Sequence, residues 1–255
     1  MNRIFARLAL AVSYVTCLPA ANLNTSTEED LSGLSKYLPT VGILIGFALC
    51  ILEWILHGCQ ANNLLASGLT VFAWLWLTGG LHMDGFMDTA DGVYSHRSRE
   101  RMLEIMQDSR VGNFAVLVSI TILALKIFAL NGLTSQKIIL PVIFVVPAWA
   151  RLCEVYAIGS FEYAREMGKG KIWHDTTSFP RDLVLASIPV VLASAIAGYF
   201  NWKATIVATL ATAGAGVFCA HWLNNKIRGH TGDTYGAVIE VAECAGVVFT
   251  ALLAS

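Results

Sequence analysis

The sequence predicts an all-α protein: a polytopic integral membrane helix bundle of about seven transmembrane helices, preceded by an amphipathic or re-entrant N-terminal helix. Hydrophobic residues make up 56% of the 255 positions and charged residues only 14%, whereas a soluble domain carries about a quarter. The apolar residues form runs long enough to cross a bilayer, without the ten-residue alternation of membrane β-strands. We expect residues 1–255 to form a single membrane-embedded domain.

Seven apolar runs have about the 20 residues that a helix needs to cross a hydrocarbon core of roughly 30 Å. These runs are 37–57, 61–80, 112–130, 137–158, 183–200, 203–223 and 236–254. In the first run, Gly42 and Gly46 have the GxxxG spacing that lets a helix pack closely on a neighbour. Residues 4–20 form a shorter apolar stretch, which we expect to lie at the membrane surface.

Basic residues are distributed unevenly between the two sets of connections. The connections after the first, third and fifth runs are short and nearly uncharged. The long, charged connections are 20–36, 81–111, 159–182 and 224–235. With the N-terminus they hold 13 of the 17 Lys and Arg residues, so the positive-inside rule predicts that they lie in the cytoplasm. The net charge of −1 favours no nucleic-acid partner; the expected partner is the lipid bilayer.

Three aspartates follow the second apolar run at helical spacing. Asp84, Asp88 and Asp91 fall within about 60° of one another on a helix, and we call this face the acidic stripe. Gly85 and Gly92 have no side chain and are expected to leave the surface beside the stripe open. Like charges at this spacing repel one another, and Mg²⁺ removes the conflict by accepting carboxylate oxygens together with substrate phosphate oxygens. The alternative is a solvated acidic helix beside the membrane.

Further charged residues give weaker signals. Arg97, Arg110 and Lys171 lie in the long loops, where they can bind a phosphate or simply meet lipid headgroups. Arg151 and Glu154, three residues apart in the fourth run, are expected to pair with each other.

The last apolar run contains acidic residues at helical spacing. Asp233, Glu240 and Glu243 share an arc of roughly 80° on a helix. Carboxylates inside a membrane segment are costly, so each should have a partner. That partner is either a cation bound with substrate or an Arg or Lys of a neighbouring helix.

The segment 79–92, GGLHMDGFMDTADG, closely resembles the cobalamin synthase family, whose activity is adenosylcobinamide-GDP ribazoletransferase. The resemblance extends over nearly the whole chain, through 16–19, 95–112, 163–168 and 231–243. It implies a Mg²⁺-dependent membrane enzyme that joins adenosylcobinamide-GDP to α-ribazole or its phosphate and releases GMP. This is the last assembly step of adenosylcobalamin, with the active site facing the cytoplasm from the cytoplasmic (inner) membrane.

Under this resemblance the charged residues receive roles. Asp84, Asp88 and Asp91 are expected to bind Mg²⁺, helped by Asp233 or Glu240. His82 or Asp88 is expected to accept the proton of the attacking hydroxyl, although His82 lies off the acidic stripe. The expected phosphate-binding residues are Arg97, Arg110 and Lys171.

Two other functions remain open from the residues alone. A CDP-alcohol lipid phosphotransferase also uses spaced aspartates and glycines, but its expected arginine after the alanine is Asp91 here. An ion-coupled transporter would use Glu240 and Glu243, but the acidic motifs crowd one surface and no internal repeat is visible. Six isolated cysteines give no zinc or dithiol motif, and the sequence does not decide whether the chain forms a homo-oligomer.

Overall fold

The computed structural model describes residues 3–22, 27–168 and 170–254, and over these ranges it is helical, with no β-strand. A short 3-10 helix spans Ser35–Tyr37. The α-helices of the described ranges are α1 (Arg3–Val15), α2 (Glu28–Leu31), α3 (Leu38–Gly58), α4 (Asn63–Leu77), α5 (Leu81–Tyr94), α6 (Arg99–Ile105), α7 (Asn113–Ser135), α8 (Ile139–Ser160), α9 (Lys171–Thr176), α10 (Arg181–Phe200), α11 (Trp202–Ile227) and α12 (Gly232–Leu253). The predicted fold class, an all-α polytopic membrane bundle, is confirmed.

Six helices in the described ranges are long and apolar enough to cross a membrane: α3, α7, α8, α10, α11 and α12. The predicted second span is different, because its helix α4 ends at Leu77 and is about 22 Å long. The chain then bends by 88° into α5. The bend is made by Gly79 and Gly80, whose φ angles of 60° and 71° are readily adopted only by glycine. The acidic helix α5 is therefore not a straight continuation of α4.

The outer surface of the bundle is apolar. On α10, for example, Leu192 and Ile196 are about 60% exposed, and Phe128 of α7 is similarly open. A soluble monomer rarely exposes contiguous apolar surface on this scale, whereas hydrocarbon chains solvate it without cost. The surface therefore agrees with the predicted span positions.

The first spanning helix packs closely on α8, as the GxxxG spacing predicts. A Cβ atom on Gly42 would lie 2.5 Å from the carbonyl oxygen of Pro147, and one on Gly46 would lie 2.5 Å from that of Phe144. A larger residue at either position would push the two backbones apart. The interior of the bundle is formed mainly by α8 and α12, whose residues are the most extensively buried.

The N-terminal helix α1 has 13 residues and one buried side, with Ala11, Val12 and Val15 facing the interior. Its Phe5 is exposed. The segment after α1 is tied to the end of α4, because the Cys17 amide donates to the Leu77 carbonyl over 2.9 Å. The structure thus contains the predicted short N-terminal apolar helix and anchors it beside the bend that begins α5.

Candidate active site

The acidic helix α5 lies directly against the start of α12. A Cβ atom on Gly85 would lie 2.7 Å from the carbonyl oxygen of Asp233, and one on Gly236 would lie 2.7 Å from that of His82. Gly92 packs closely on α6, since its Cβ would lie 2.9 Å from the carbonyl oxygen of Met102. The expectation that Gly85 and Gly92 leave the surface beside the acidic stripe open is therefore wrong. Both positions instead permit close helix packing.

Asp84 and Asp88 have carboxylates without a protein partner. Neither accepts a hydrogen bond or forms an ion pair with any residue in the described ranges; Asp84 is exposed and Asp88 is half-buried. Burial raises the pKa of Asp88 to about 7, and the negative charges of Asp84, Asp233 and Asp91 add to this rise. Four carboxylates thus lie near enough to influence one another, as the helical spacing predicted for three of them.

Asp91 has a structural partner at the start of α7. Its Oδ2 accepts a hydrogen bond from the Gly112 amide at 2.7 Å, and its Oδ1 accepts one from the Ala115 amide at 2.9 Å. A carboxylate at this position satisfies amides that have no partner within the helix. Each oxygen keeps a further lone pair, so the metal-binding role of Asp91 stays a prediction.

Asp233 is neutralised by an arginine that the sequence did not single out. Arg165 Nη1 lies 2.9 Å from Asp233 Oδ2, and Arg165 Nη2 donates to the Leu103 carbonyl over 3.3 Å. The Thr231 hydroxyl also donates to Asp233. Arg165 and Asp233 are 68 positions apart, so no local spacing links them. The visible signal was only that Arg165 lies in a long basic loop.

The loop that carries Arg165 is fixed to the chain entering α12. The Ala164 amide donates to the His230 carbonyl, and the His230 amide donates to the Glu162 carbonyl, each over 2.8 Å. The His230 imidazole is buried and lies against Tyr235, with the two rings stacked at 5.5 Å. These backbone bonds place Arg165 beside the first turn of α12, and hence beside Asp233.

The three predicted phosphate-binding residues form no ion pair with the acidic stripe. Arg110 is held by Asp108 at 2.5 Å, and its hydrogen bonds lower the pKa of the Asp108 carboxyl to about 2. Lys171 pairs with Asp175 at 2.8 Å, one turn along α9. The side chain of Arg97 is exposed and has no hydrogen bond or ion pair within the described ranges. The phosphate-binding role of these residues stays a prediction.

Glu240 and Glu243 pair with basic residues inside the bundle. Lys126 Nζ lies 2.6 Å from Glu240 Oε2 and 2.9 Å from Glu243 Oε2, and Arg151 Nη1 lies 2.8 Å from Glu243 Oε1. Arg151 therefore does not form the expected pair with Glu154, and that prediction is wrong. Of the two partners considered for Glu240, the structure shows the basic residue of a neighbouring helix. A metal-binding role for Glu240 stays a prediction without a supporting contact.

The donor atoms beside α5 suit a hard divalent cation, although they are not gathered into a closed site. Within the described ranges, no group of three or more His, Cys, Asp or Glu side chains is arranged to hold a metal ion. Asp84 and Asp88 nevertheless present carboxylate oxygens that pair with no group in the described part of the chain, and such oxygens are the ligands that Mg²⁺ prefers. The chemistry of the donor set fits Mg²⁺ with one or two protein carboxylates and further oxygens from substrate or water.

The fold and the site define an integral membrane protein with an acidic site on a helix beside the end of its bundle. A family model described as cobalamin-5-phosphate synthase matches residues 7–251. This match covers nearly the whole chain, including every element of the site. The chain belongs to the cobalamin-5-phosphate synthase family.

Several curated relatives are similar over almost their whole length, and each is named adenosylcobinamide-GDP ribazoletransferase. The protein of Thermosynechococcus vestitus is 35% identical over 237 residues, which cover 91% of this chain and 90% of the relative. That of Synechococcus elongatus is 34% identical over 247 residues, with 95% of each chain covered. That of Roseiflexus is 35% identical over 251 residues, covering 98% of this chain and 91% of the relative. No solved structure matches the chain.

Proposed function

We propose that this protein is an adenosylcobinamide-GDP ribazoletransferase that joins adenosylcobinamide-GDP to α-ribazole or α-ribazole phosphate and releases GMP. The observation that carries the proposal is the family match over residues 7–251, together with relatives of that name aligned over more than nine tenths of this chain. The membrane-spanning helices and the unneutralised carboxylates on α5 agree with a membrane enzyme that acts on a diphosphate. The reaction is the last assembly step of adenosylcobalamin.

Mg²⁺ is the proposed cofactor, held by Asp84 and Asp88. Asp91 and Asp233 are further proposed ligands, although the carboxylate of each also contacts a protein group. Glu240 is the least supported ligand, because its carboxylate pairs with Lys126. When bound, the cation supplies positive charge to the substrate diphosphate. The support for this proposal is the excess of negative charge around Asp88, whose pKa of about 7 reflects burial and three neighbouring carboxylates.

The chemical step is displacement at phosphorus. A ribose hydroxyl oxygen of α-ribazole attacks the phosphorus attached to cobinamide, the bond from that phosphorus to the bridging oxygen breaks, and GMP leaves with the bonding electrons. The hydroxyl proton must go to a base, and a carboxylate that is not fully engaged by the cation can take it. Asp88 is the proposed acceptor. Little covalent chemistry falls to the protein, so catalysis rests mainly on positioning and charge.

Arg165 is proposed to orient the substrate diphosphate, alongside the predicted Arg97, Arg110 and Lys171. Its support is the ion pair with Asp233 and the influence of its positive charge on Asp88, whose pKa it lowers against the effect of burial. Two of the five guanidinium N–H groups are engaged, by Asp233 and by the Leu103 carbonyl. Nε is buried, so the second N–H groups of Nη1 and Nη2 are the donors left for phosphate oxygens, which arginine binds in pairs.

The proposed location is the cytoplasmic membrane, with the active site on the cytoplasmic side. The support is the distribution of Lys and Arg, since 13 of 17 fall in the N-terminus and the long connections that include α5, α6 and α9. A GDP-linked substrate would meet the acidic helix from the aqueous side, while the bundle remains in lipid.

The test is an assay of the purified full-length protein in lipid nanodiscs with Mg²⁺. We expect GMP release from adenosylcobinamide-GDP only when α-ribazole or its phosphate is present, and loss of that release in Asp84→Asn. No GMP release from the folded protein would contradict the proposal. Release of CMP from a CDP-linked lipid would instead establish a CDP-alcohol phosphotransferase. Ion-driven uptake into sealed proteoliposomes, unaffected by Asp84→Asn, would establish a transporter.

A further inference from the structure

Four charged side chains from three helices form a closed network inside the bundle, which we call the buried charge network: Lys126, Arg151, Glu240 and Glu243. Glu243 receives both cations, with Lys126 Nζ at 2.9 Å and Arg151 Nη1 at 2.8 Å. The side chains of Arg151 and Glu243 are each 1% exposed. Two positive and two negative charges cancel, so the network can remain in a low-dielectric interior without bound ions.

Two further helices contact the buried charge network. The indole of Trp74, on α4, donates from Nε1 to Glu243 Oε1 over 3.2 Å, and its ring lies 5.0 Å from Lys126 Nζ. His82, in the first turn of α5, lies with Nδ1 3.4 Å from Arg151 Nη2. The network therefore connects the five helices α4, α5, α7, α8 and α12. Among these, α5 is the helix that carries the acidic stripe.

The contact between His82 and Arg151 fixes which nitrogen of the imidazole carries the proton. Arginine is always a donor, so Nδ1 of His82 must present its lone pair to Arg151 Nη2, and the proton lies on Nε2. A neutral imidazole has only one basic nitrogen. Because that nitrogen faces a guanidinium, His82 has no free lone pair with which to accept a proton from a substrate hydroxyl.

The surroundings of His82 restrain the backbone of α5 as well as the side chain. His82 is 4% exposed, and a Cβ atom on Gly236 of α12 would lie 2.7 Å from its carbonyl oxygen. Asp84 follows two positions later and Asp88 one turn beyond that. A shift of His82 relative to Arg151 would therefore move the carboxylates along or around the axis of α5.

We propose that His82 is a positioning residue: its hydrogen bond with Arg151 anchors α5 to the buried charge network and so sets the place of Asp84 and Asp88. This inference rests on the proposed function, because turnover is one of its readouts. In this proposal the buried charge network holds α5 in its position along α12 and does not contact substrate. His82 then acts by its hydrogen bond with Arg151 and does not accept the proton of the attacking hydroxyl.

The test compares His82→Asn, His82→Gln and His82→Ala in the full chain in nanodiscs. The amide oxygen of Asn lies near the position of Nδ1 and can accept from Arg151, whereas that of Gln lies near Nε2. We expect His82→Asn to keep most of the wild-type kcat. His82→Gln and His82→Ala should lose about 10²-fold in kcat with KM little changed, the cost of misplacing reacting groups by about 1 Å.

Two measurements separate positioning from general loss of structure. The affinity for Mn²⁺, followed by its electron spin resonance signal without substrate, should fall in His82→Ala and recover in His82→Asn. The loss of kcat in His82→Ala should not add to the loss in Arg151→Lys. A lysine at position 151 keeps the positive charge opposite Glu243 but has no second nitrogen with which to reach His82. His57→Asn, an exposed histidine at the end of α3, is the matched control and should behave as wild type.

Two outcomes would overturn the inference. A folded His82→Asn variant as inactive as His82→Ala would show that an imidazole nitrogen is needed for chemistry. Wild-type kcat and Mn²⁺ affinity in His82→Ala would show that the contact with Arg151 does not set the site. Failure of the proposed function is distinguishable from both, since it would appear as wild-type protein without GMP release.

Discussion

Gly85 of α5 meets Asp233 of α12 backbone to backbone: a Cβ atom on Gly85 would lie 2.7 Å from the Asp233 carbonyl oxygen and 2.8 Å from its Cα. This contact brings the acidic helix alongside the first turn of a spanning helix. Asp88, three positions after Gly85 on α5, thereby comes under the influence of the Asp233 carboxylate. The acidic site is thus assembled from two parts of the chain that are far apart in sequence.

A side chain at Gly85 should therefore impair the site. In Gly85→Ala the new Cβ meets rigid backbone, so α5 must move away from α12, and we expect kcat to fall by about 10²-fold. Gly68→Ala is the matched control, because a Cβ there meets nothing within 4 Å, and it should keep wild-type kcat. Equal activity of the two variants in the GMP-release assay would rule out the importance of this close approach.

The acidic residues should separate into two groups when stability and turnover are both measured. Asp84→Asn and Asp88→Asn should abolish GMP release without lowering the thermal midpoint, because no described protein group hydrogen-bonds to either carboxylate. Asp88→Asn should even raise the midpoint of metal-free protein at neutral pH, because it removes a charge that burial disfavours. Asp91→Ala should in addition lower the free energy of unfolding by about 1 kcal/mol, through loss of the hydrogen bonds to Gly112 and Ala115. Ordinary turnover in any two of these variants would remove the metal-site proposal.

Arg165 should matter for binding the GDP-linked substrate more than Arg110 does. Arg165→Gln removes a cation beside Asp233, and we expect KM for adenosylcobinamide-GDP to rise by about tenfold or more, the cost of one charge-assisted hydrogen bond. Arg110→Gln is the comparison: the Arg110 side chain is 88% exposed and held by Asp108, so KM should rise less in this variant. The assignment fails if Arg165→Gln binds the substrate as wild type while Arg110→Gln does not.

The raised pKa of Asp88 predicts how metal-free protein responds to pH. A carboxyl whose pKa is about 7 in the folded state and 3.8 in the unfolded state binds its proton more tightly when folded. Its contribution to stability is therefore present below pH 4 and is lost as the pH rises through 7. Mn²⁺ must displace that proton, so its affinity should rise over the same interval.

Thermal melts and Mn²⁺ titrations between about pH 5 and pH 8 measure both effects. Asp88→Asn should abolish the pH dependence of the thermal midpoint that is assigned to this carboxyl. It should also weaken the pH dependence of any residual Mn²⁺ affinity. A wild-type affinity for Mn²⁺ that is unchanged across pH 7 would show that the Asp88 proton does not compete with metal.

Local patterns predicted much of the architecture and one side of the site. Apolar runs at 37–57 and 112–130 correspond to α3 and α7, and the pair Gly42 and Gly46 packs on α8 as expected. The helical spacing of Asp84, Asp88 and Asp91 also correctly placed them on one helix. Patterns within a single helix could not show which residue of another helix each side chain contacts, and the predictions that depended on such contacts were wrong.

Arg151 shows this limit. Its spacing to Glu154 suggested a pair along one helix, yet the structure joins it to Glu243, 92 positions away on α12. Gly85 and Gly92 show it again, because a missing side chain signals an open surface and a close packing contact equally well in sequence. Arg165 was missed because its partner Asp233 lies on another element.

The sequence by itself determined that the chain is a membrane helix bundle with an acidic helix beside it, because hydrophobic length and helical period are properties of consecutive residues. Only the tertiary structure decided that Asp233 and Arg165 complete that surface and that His82 faces Arg151. Those partnerships depend on how helices cross and how closely glycines let them approach. Such distances arise between segments and are not encoded in the spacing within any one of them.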